Sequence, residues 1–148
     1  MKVNFVRVLL FLLLLSGCMG TDSKRAPYRY LIPSGYVGWV QIRFAVVGAP
    51  ELPVQKGFRV ARFSKEGTLN ASSRLQDGWA KDEYYYYAGD SQQKLSDGYQ
   101  TGMINAGSTG LMGGDSHQSL RFFVGSYDQY MKYGNVNTTT PSIGPIVQ

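Results

Sequence analysis

Val40-Gln41-Ile42-Arg43-Phe44-Ala45-Val46 sets apolar side chains at alternate positions, with Val40, Ile42, Phe44 and Val46 separated by Gln41, Arg43 and Ala45. A period of two belongs to a strand with one buried face, and it gives little support to a helix. Upstream, Tyr30-Leu31-Ile32-Pro33 runs through a Ser34-Gly35 turn into Tyr36-Val37-Gly38-Trp39. There Gly38 predicts a bulge or a close approach of another backbone. Downstream, the proline-bracketed loop Gly48-Ala49-Pro50-Glu51-Leu52-Pro53 is followed by three glycine-led segments: Phe58 to Phe63 after Gly57, Thr68 to Ser72 after Gly67, and Trp79 to Ala88 after Gly78. Each reads as a turn followed by a strand. Gly98 to Ile104 predicts another strand, and Ser119 to Gly125 the strongest late one, with Leu120, Phe122 and Val124 on one face. Short strands at roughly ten-residue spacing predict an all-β, single-domain antiparallel β-sandwich. Helix is confined to one turn over Asp128 to Tyr133, closed by Gly134. The domain is expected over residues 28–134, with the Asn-, Thr-, Pro- and Gly-rich residues 135–148 as a flexible tail.

The amino terminus has a different character. Lys2 and Arg7 precede an apolar run from Val8 to Leu15, which ends in Leu15-Ser16-Gly17-Cys18. Basic residues, an apolar stretch and small residues, in that order, make a secretory signal over residues 1–17. The run is far short of the roughly 20 apolar residues that span a bilayer. Its end resembles the lipobox of bacterial lipoproteins. That resemblance implies cleavage before Cys18, acylation of Cys18 with palmitate-type chains, and a membrane partner reached through lipid. Residues 18–27 then form the acylated terminus and a flexible tether. Met19 follows the cysteine where an Asp would favour inner-membrane retention, so in a Gram-negative cell the resemblance implies the outer membrane.

Loss of the signal takes Lys2 and Arg7 with it. Of 15 basic residues 13 remain against 10 acidic ones, and the formal net charge falls from +5 to +3. The remaining cations are scattered and form no stripe, which argues against a nucleic-acid partner. Cys18 is the sole cysteine, so its acylation leaves no thiol for a disulfide, a redox pair or a thiolate metal site. The domain is expected to hold itself by burial alone.

Four ordered segments carry a resemblance to a family: Tyr30 to Val40, Gly48-Ala49-Pro50 with Leu52-Pro53, Gly78-Trp79-Ala80-Lys81-Asp82-Glu83-Tyr84-Tyr85-Tyr86-Tyr87, and Phe122-Phe123-Val124-Gly125. Over most of residues 28–133 the chain resembles an uncharacterised family of small bacterial exported domains, often lipid-anchored. The resemblance implies an architecture and a location, and no activity. Residues 30–44 also resemble the first strands of transthyretin-like sandwich modules.

Credible catalytic chemistry is sparse. His117, the single histidine, sits in Gly113-Gly114-Asp115-Ser116-His117. An envelope hydrolase working through Asp115, Ser116 and His117 is the alternative function, but neighbours in a glycine-rich loop do not hold the geometry of a triad. One histidine and one cysteine give no metal-ligand spacing, and no cofactor is implied. Gly102 to Gly114 reads as a long mobile loop that lacks the Gly-Lys-Ser/Thr ending of a phosphate-binding loop. Asp82 and Glu83 are consecutive, so on a strand they face opposite sides, with Lys81 or solvent as the expected partner. Tyr84, Tyr85, Tyr86 and Tyr87 are the best candidates for a contact surface, together with Asp82 and Glu83. In a strand one pair packs inward and the other presents its rings outward. The function expected is therefore a non-enzymatic binding or structural module of the cell envelope, with an envelope protein or a cell-wall glycan as partner.

Overall fold

The computed structural model describes residues 24–98, 100–111, 116–134 and 144–146. Ten strands form: β1 (Tyr28–Pro33), β2 (Gly38–Arg43), β3 (Val54–Gln55), β4 (Phe58–Arg62), β5 (Thr68–Asn70), β6 (Glu83–Ala88), β7 (Ser91–Lys94), β8 (Ile104–Leu111), β9 (Gln118–Val124) and β10 (Gly144–Pro145). The helical part is α1 (Tyr127–Gln129) and a π-helical turn over Tyr130–Gly134. Ser126 and Gln129 close a reciprocal capping box at its start. No helix of the described residues is long and apolar enough to cross a membrane.

The strands make two sheets. The first has the order β3-β4-β1-β6-β7; the second runs β10-β2-β9-β8, with β5 sharing the β10 side of β2. The fold is all-β, as expected, but its sheets are mixed rather than purely antiparallel. β1 pairs parallel with both β4 and β6, and β2 pairs parallel with β5. The cause lies in the route of the chain: β1 leads straight into β2 of the other sheet, so β1 gains its neighbours only from strands that return later, running the same way.

The inward faces of the two sheets share one core. Tyr28, Tyr30 and Ile32 of β1 meet Val40 and Ile42 of β2, while Phe122 and Val124 of β9 complete the facing layer. Tyr30 lies edge-on to Phe122 at 5.1 Å between ring centroids and stacks on Tyr84 at 4.9 Å. Such aromatic pairs contribute about 0.5–1.5 kcal/mol each beyond the area they bury. β2 ends at Arg43 because Ala45 turns left-handed at φ 56°, yet Phe44 still reaches the core fully buried.

Gly38 is where another backbone approaches. At φ +143° it lies against β10, and a Cβ there would strike the Gly144 carbonyl. The expected free tail thus includes residues that return to the sheet: Gly144 and Pro145 pair with Trp39 and Gly38, and the Ile146 N–H donates to the Val37 carbonyl at 2.8 Å. Ile104 to Leu111, expected within a mobile loop, is instead strand β8. Its Asn105, Ala106, Gly107 and Gly110 have low strand propensity, and pairing along β9 overrides that preference. The tether is also shorter than expected. Lys24 bridges to Trp79, and Arg25 donates its backbone N–H to the Trp79 carbonyl.

Candidate functional site

Strand β6 is held on both sides, by β1 in parallel and by β7 in antiparallel register, so the direction of each tyrosine is set. Tyr84 and Tyr86 point inward. The Tyr84 ring stacks on Tyr30 and meets Phe122 edge-on. Burial pushes the Tyr84 phenol up to about 12, with the negative charges of Asp82 and Asp97 adding to the shift. The Tyr86 hydroxyl donates to the Tyr36 carbonyl at 2.7 Å, and burial raises its pKa too. These two rings are core.

Glu83, Tyr85 and Tyr87 face the other way, onto the outer side of the first sheet. Glu83 accepts from Arg29 at 2.9 Å, from the Tyr85 hydroxyl at 3.2 Å and from Lys94 at 3.2 Å. Partial burial pushes its carboxyl up, but the hydrogen bonds from Arg29, Lys94 and Tyr85 outweigh that and leave its pKa lowered. Above this hub the Arg29 guanidinium lies between two rings, 4.4 Å from the centre of Phe58 and 5.5 Å from that of Tyr85. Arg62 covers Tyr87 at 4.0 Å, and the Tyr87 hydroxyl donates to the Phe63 carbonyl at 2.9 Å. Beneath the rings, Leu31 and Val60 are buried although they point away from the main core. The result is a face of stacked cations and aromatic rings over two buried apolar side chains.

Asp82 points to the opposite side of the strand from Glu83 and binds different partners, although both border one cleft. Asp82 accepts two hydrogen bonds from the Arg25 guanidinium, at 2.9 and 2.7 Å, and one from the Tyr28 N–H at 2.9 Å. Lys81, the partner expected for these carboxylates, stays exposed. Arg25 wins because its planar fork matches a carboxylate bidentately. Asp82 therefore docks the start of the domain. A cleft of about 420 Å³ lies beside it, lined by Lys81, Tyr84, Lys94, Leu95, Ser96 and Asp97 as well as Asp82 and Glu83.

Of the hydrolase alternative, Ser116 and His117 lie side by side and exposed or nearly so, with Ser116 Oγ 3.4 Å from His117 Nδ1. Asp115 and Cys18 lie outside the described residues, and the Asp82 cleft is not lined by His117. Among the described residues no group of three His, Cys, Asp or Glu side chains converges as a metal site. Trp79 is exposed, whereas Trp39 is half-buried under the helical turn, its indole N–H donating to the Gly134 carbonyl.

Sequence reading missed Arg29, Phe58, Arg62 and Lys94 as parts of the outer face. The alternation of Arg29, Leu31 and Pro33 with Tyr28, Tyr30 and Ile32 is the one local signal for an outward Arg29. Its neighbours follow only from the parallel registers of β1 with β4 and β6.

A family model matches residues 24–133. The chain belongs to the family of unknown function DUF6843. The matched span of this DUF6843 domain begins at Lys24, the residue that bridges to Trp79, and ends at Tyr133 in the π-helical turn. No curated protein matches the sequence significantly. Among solved structures, the fold is similar to the crystal structure of a protein named "Putative Lipoprotein from Bacillus anthracis", with a TM-score of 0.62 and 24% sequence identity over 80% of this chain and 83% of that one. At that identity the likeness speaks to the fold.

Proposed function

We propose that this DUF6843 chain is an exported module held on a membrane by lipid on Cys18, and that it acts as a non-enzymatic binder of a protein partner in the cell envelope. The observation that carries the binding part is the outer face of the first sheet, where Arg29 and Arg62 are stacked on Phe58, Tyr85 and Tyr87. Tyr and Arg are enriched among the residues that dominate protein interfaces, and Tyr brings a large contact area at low cost in side-chain entropy. Here the guanidiniums are already ordered by rings and by Glu83, so little freedom is left to lose on contact. Such a face suits a protein surface better than a sugar chain, since a guanidinium already occupies one side of the Tyr87 ring. Leu15-Ser16-Gly17-Cys18 and the lipoprotein name of the structural relative support the anchor.

The test is a nuclear magnetic resonance titration of the unacylated Cys18→Ser chain against purified envelope proteins and, separately, cell-wall fragments. Expected are amide shifts centred on Arg62, Glu83, Tyr85 and Tyr87, with loss of binding in Tyr85→Ala and Tyr87→Ala. Shifts with cell-wall fragments alone, or shifts confined to the Asp82 cleft, would overturn the assignment of this face to a protein partner. Equal palmitate incorporation in the wild type and in Cys18→Ser would overturn the anchor.

A further inference from the structure

The outer face of the first sheet leaves one end of the molecule unexplained. β1, β4 and β6 are parallel and in register, so the segments that lead into them all meet at one end of the sheet. Those segments are Lys24 to Pro27, the Lys56-Gly57 turn, and Trp79 to Asp82. Trp79 is 75% exposed there, although it is the largest side chain the protein could have buried. It is tied to Lys24 by a backbone bridge and by the Arg25 N–H on its carbonyl. Lys24, Lys56 and Lys81 are exposed around it, against the exposed carboxylates of Asp77 and Asp97. Of the other charges at this end, Arg25 pairs with Asp82, and Arg29 and Lys94 pair with Glu83.

This is also the end from which the chain runs back to Cys18. Six residue steps separate Cys18 from Lys24, and a fully extended chain covers about 3.3–3.6 Å per step, so Lys24 stays within about 20 Å of an acylated Cys18. An indole prefers the water–headgroup boundary of a bilayer to either bulk phase. Lysines near an anionic surface are drawn to it, and confinement by a short tether makes even a weak contact count.

We propose that the Trp79 end of the domain, with Lys24, Lys56 and Lys81, rests on anionic lipid headgroups and thereby turns the outer tyrosine face sideways, clear of the bilayer. The inference builds on the anchor at Cys18, and its test has one arm that does not need acylation. In the first arm, the acylated chain is placed in phosphatidylcholine–phosphatidylglycerol vesicles carrying brominated acyl chains, beside a Trp79→Phe variant, a change at an exposed position. Expected is bromine quenching of indole emission that is present in the wild type and absent from Trp79→Phe. In the second arm, vesicle partitioning of the unacylated Cys18→Ser chain is measured. Each replacement of Lys24, Lys56 or Lys81 by Ser should weaken partitioning about fivefold, and pure phosphatidylcholine should abolish the lysine dependence. Equal quenching in wild type and Trp79→Phe, with the acylated chain on the vesicles, would overturn the orientation and leave the anchor standing. Absence of acylation would remove the anchor, and the second arm would still decide whether this end binds lipid.

Discussion

Replacing Asp82 by Ala is expected to cost about 2–3 kcal/mol of folding stability. The carboxylate holds four donors, two on Arg25 and the Tyr28 N–H at 2.7 to 2.9 Å, and the hydroxyl of the buried Tyr30 at 3.5 Å. The side chains of Arg25 and Asp82 are each only 14% exposed, so their attraction is screened less than that of a surface pair. An exposed ion pair contributes about 0–1 kcal/mol, and a partly buried bidentate one belongs at the top of that range or slightly above. The second loss is the Tyr28 N–H, which sits beside a buried side chain and loses its acceptor, at about 1–2 kcal/mol. Arg25→Ala loses the ion pair and the guanidinium's place 4.8 Å over the Tyr28 ring, about 1–2 kcal/mol, while Asp82 keeps the Tyr28 amide. Asp82→Asn should fall between wild type and Ala, since its amide oxygen still accepts from Tyr28. Urea unfolding of the Cys18→Ser chain followed by fluorescence gives all three values, and a double-mutant cycle isolates the Arg25–Asp82 coupling. A loss below about 0.5 kcal/mol in Asp82→Ala, or equal losses in Asp82→Asn and Asp82→Ala, would refute this account of the clamp.

Two further predictions follow from the same geometry. Glu83 has a folded-state pKa below its ordinary 4.5, so its contribution is complete above that pH and is lost as the pH falls through the lowered value. The stability gap between wild type and Glu83→Gln should therefore be constant well above pH 4.5 and narrow as the pH falls below it; a gap that widens on acidification would contradict the hub. Gly38→Ala should cost about 2–3 kcal/mol, because φ +143° is strained for Ala and its Cβ would meet the Gly144 carbonyl. Hydrogen exchange at Ile146 reports the displacement of β10 directly, and unchanged protection there would count against the close approach.

Local patterns in the chain were sufficient for part of this architecture. The alternation through Val40, Ile42 and Phe44 and through Leu120, Phe122 and Val124 marked two strands that do face the core. Gly38 marked a close approach, and the period of two along Tyr84 to Tyr87 separated the inward rings from the outward ones. Side-chain direction along a strand is a local property, which is why it is legible without a partner. Strands with no buried face gave no such signal. Ser91 to Lys94 is polar and fully exposed, Val54-Gln55 is only two residues long, and both exist because a neighbour supplies hydrogen bonds.

Pairing is not local. Whether β1 lies beside β4 and β6, and in which direction, depends on contacts between residues about 30 and 55 positions apart, and loop closure leaves no trace in sequence periodicity. That choice made the first sheet mixed, set Arg29 between Phe58 and Tyr85, and stacked Arg62 on Tyr87. It also drew Arg25 out of the tether onto Asp82 and gathered Lys24, Lys56 and Trp79 at one end. Residue order marked the strands that have one buried face and the alternation of side chains along them. The long-range registers decided which of those side chains share a surface, because hydrogen-bonded pairing, and not sequence neighbourhood, sets the distance between them.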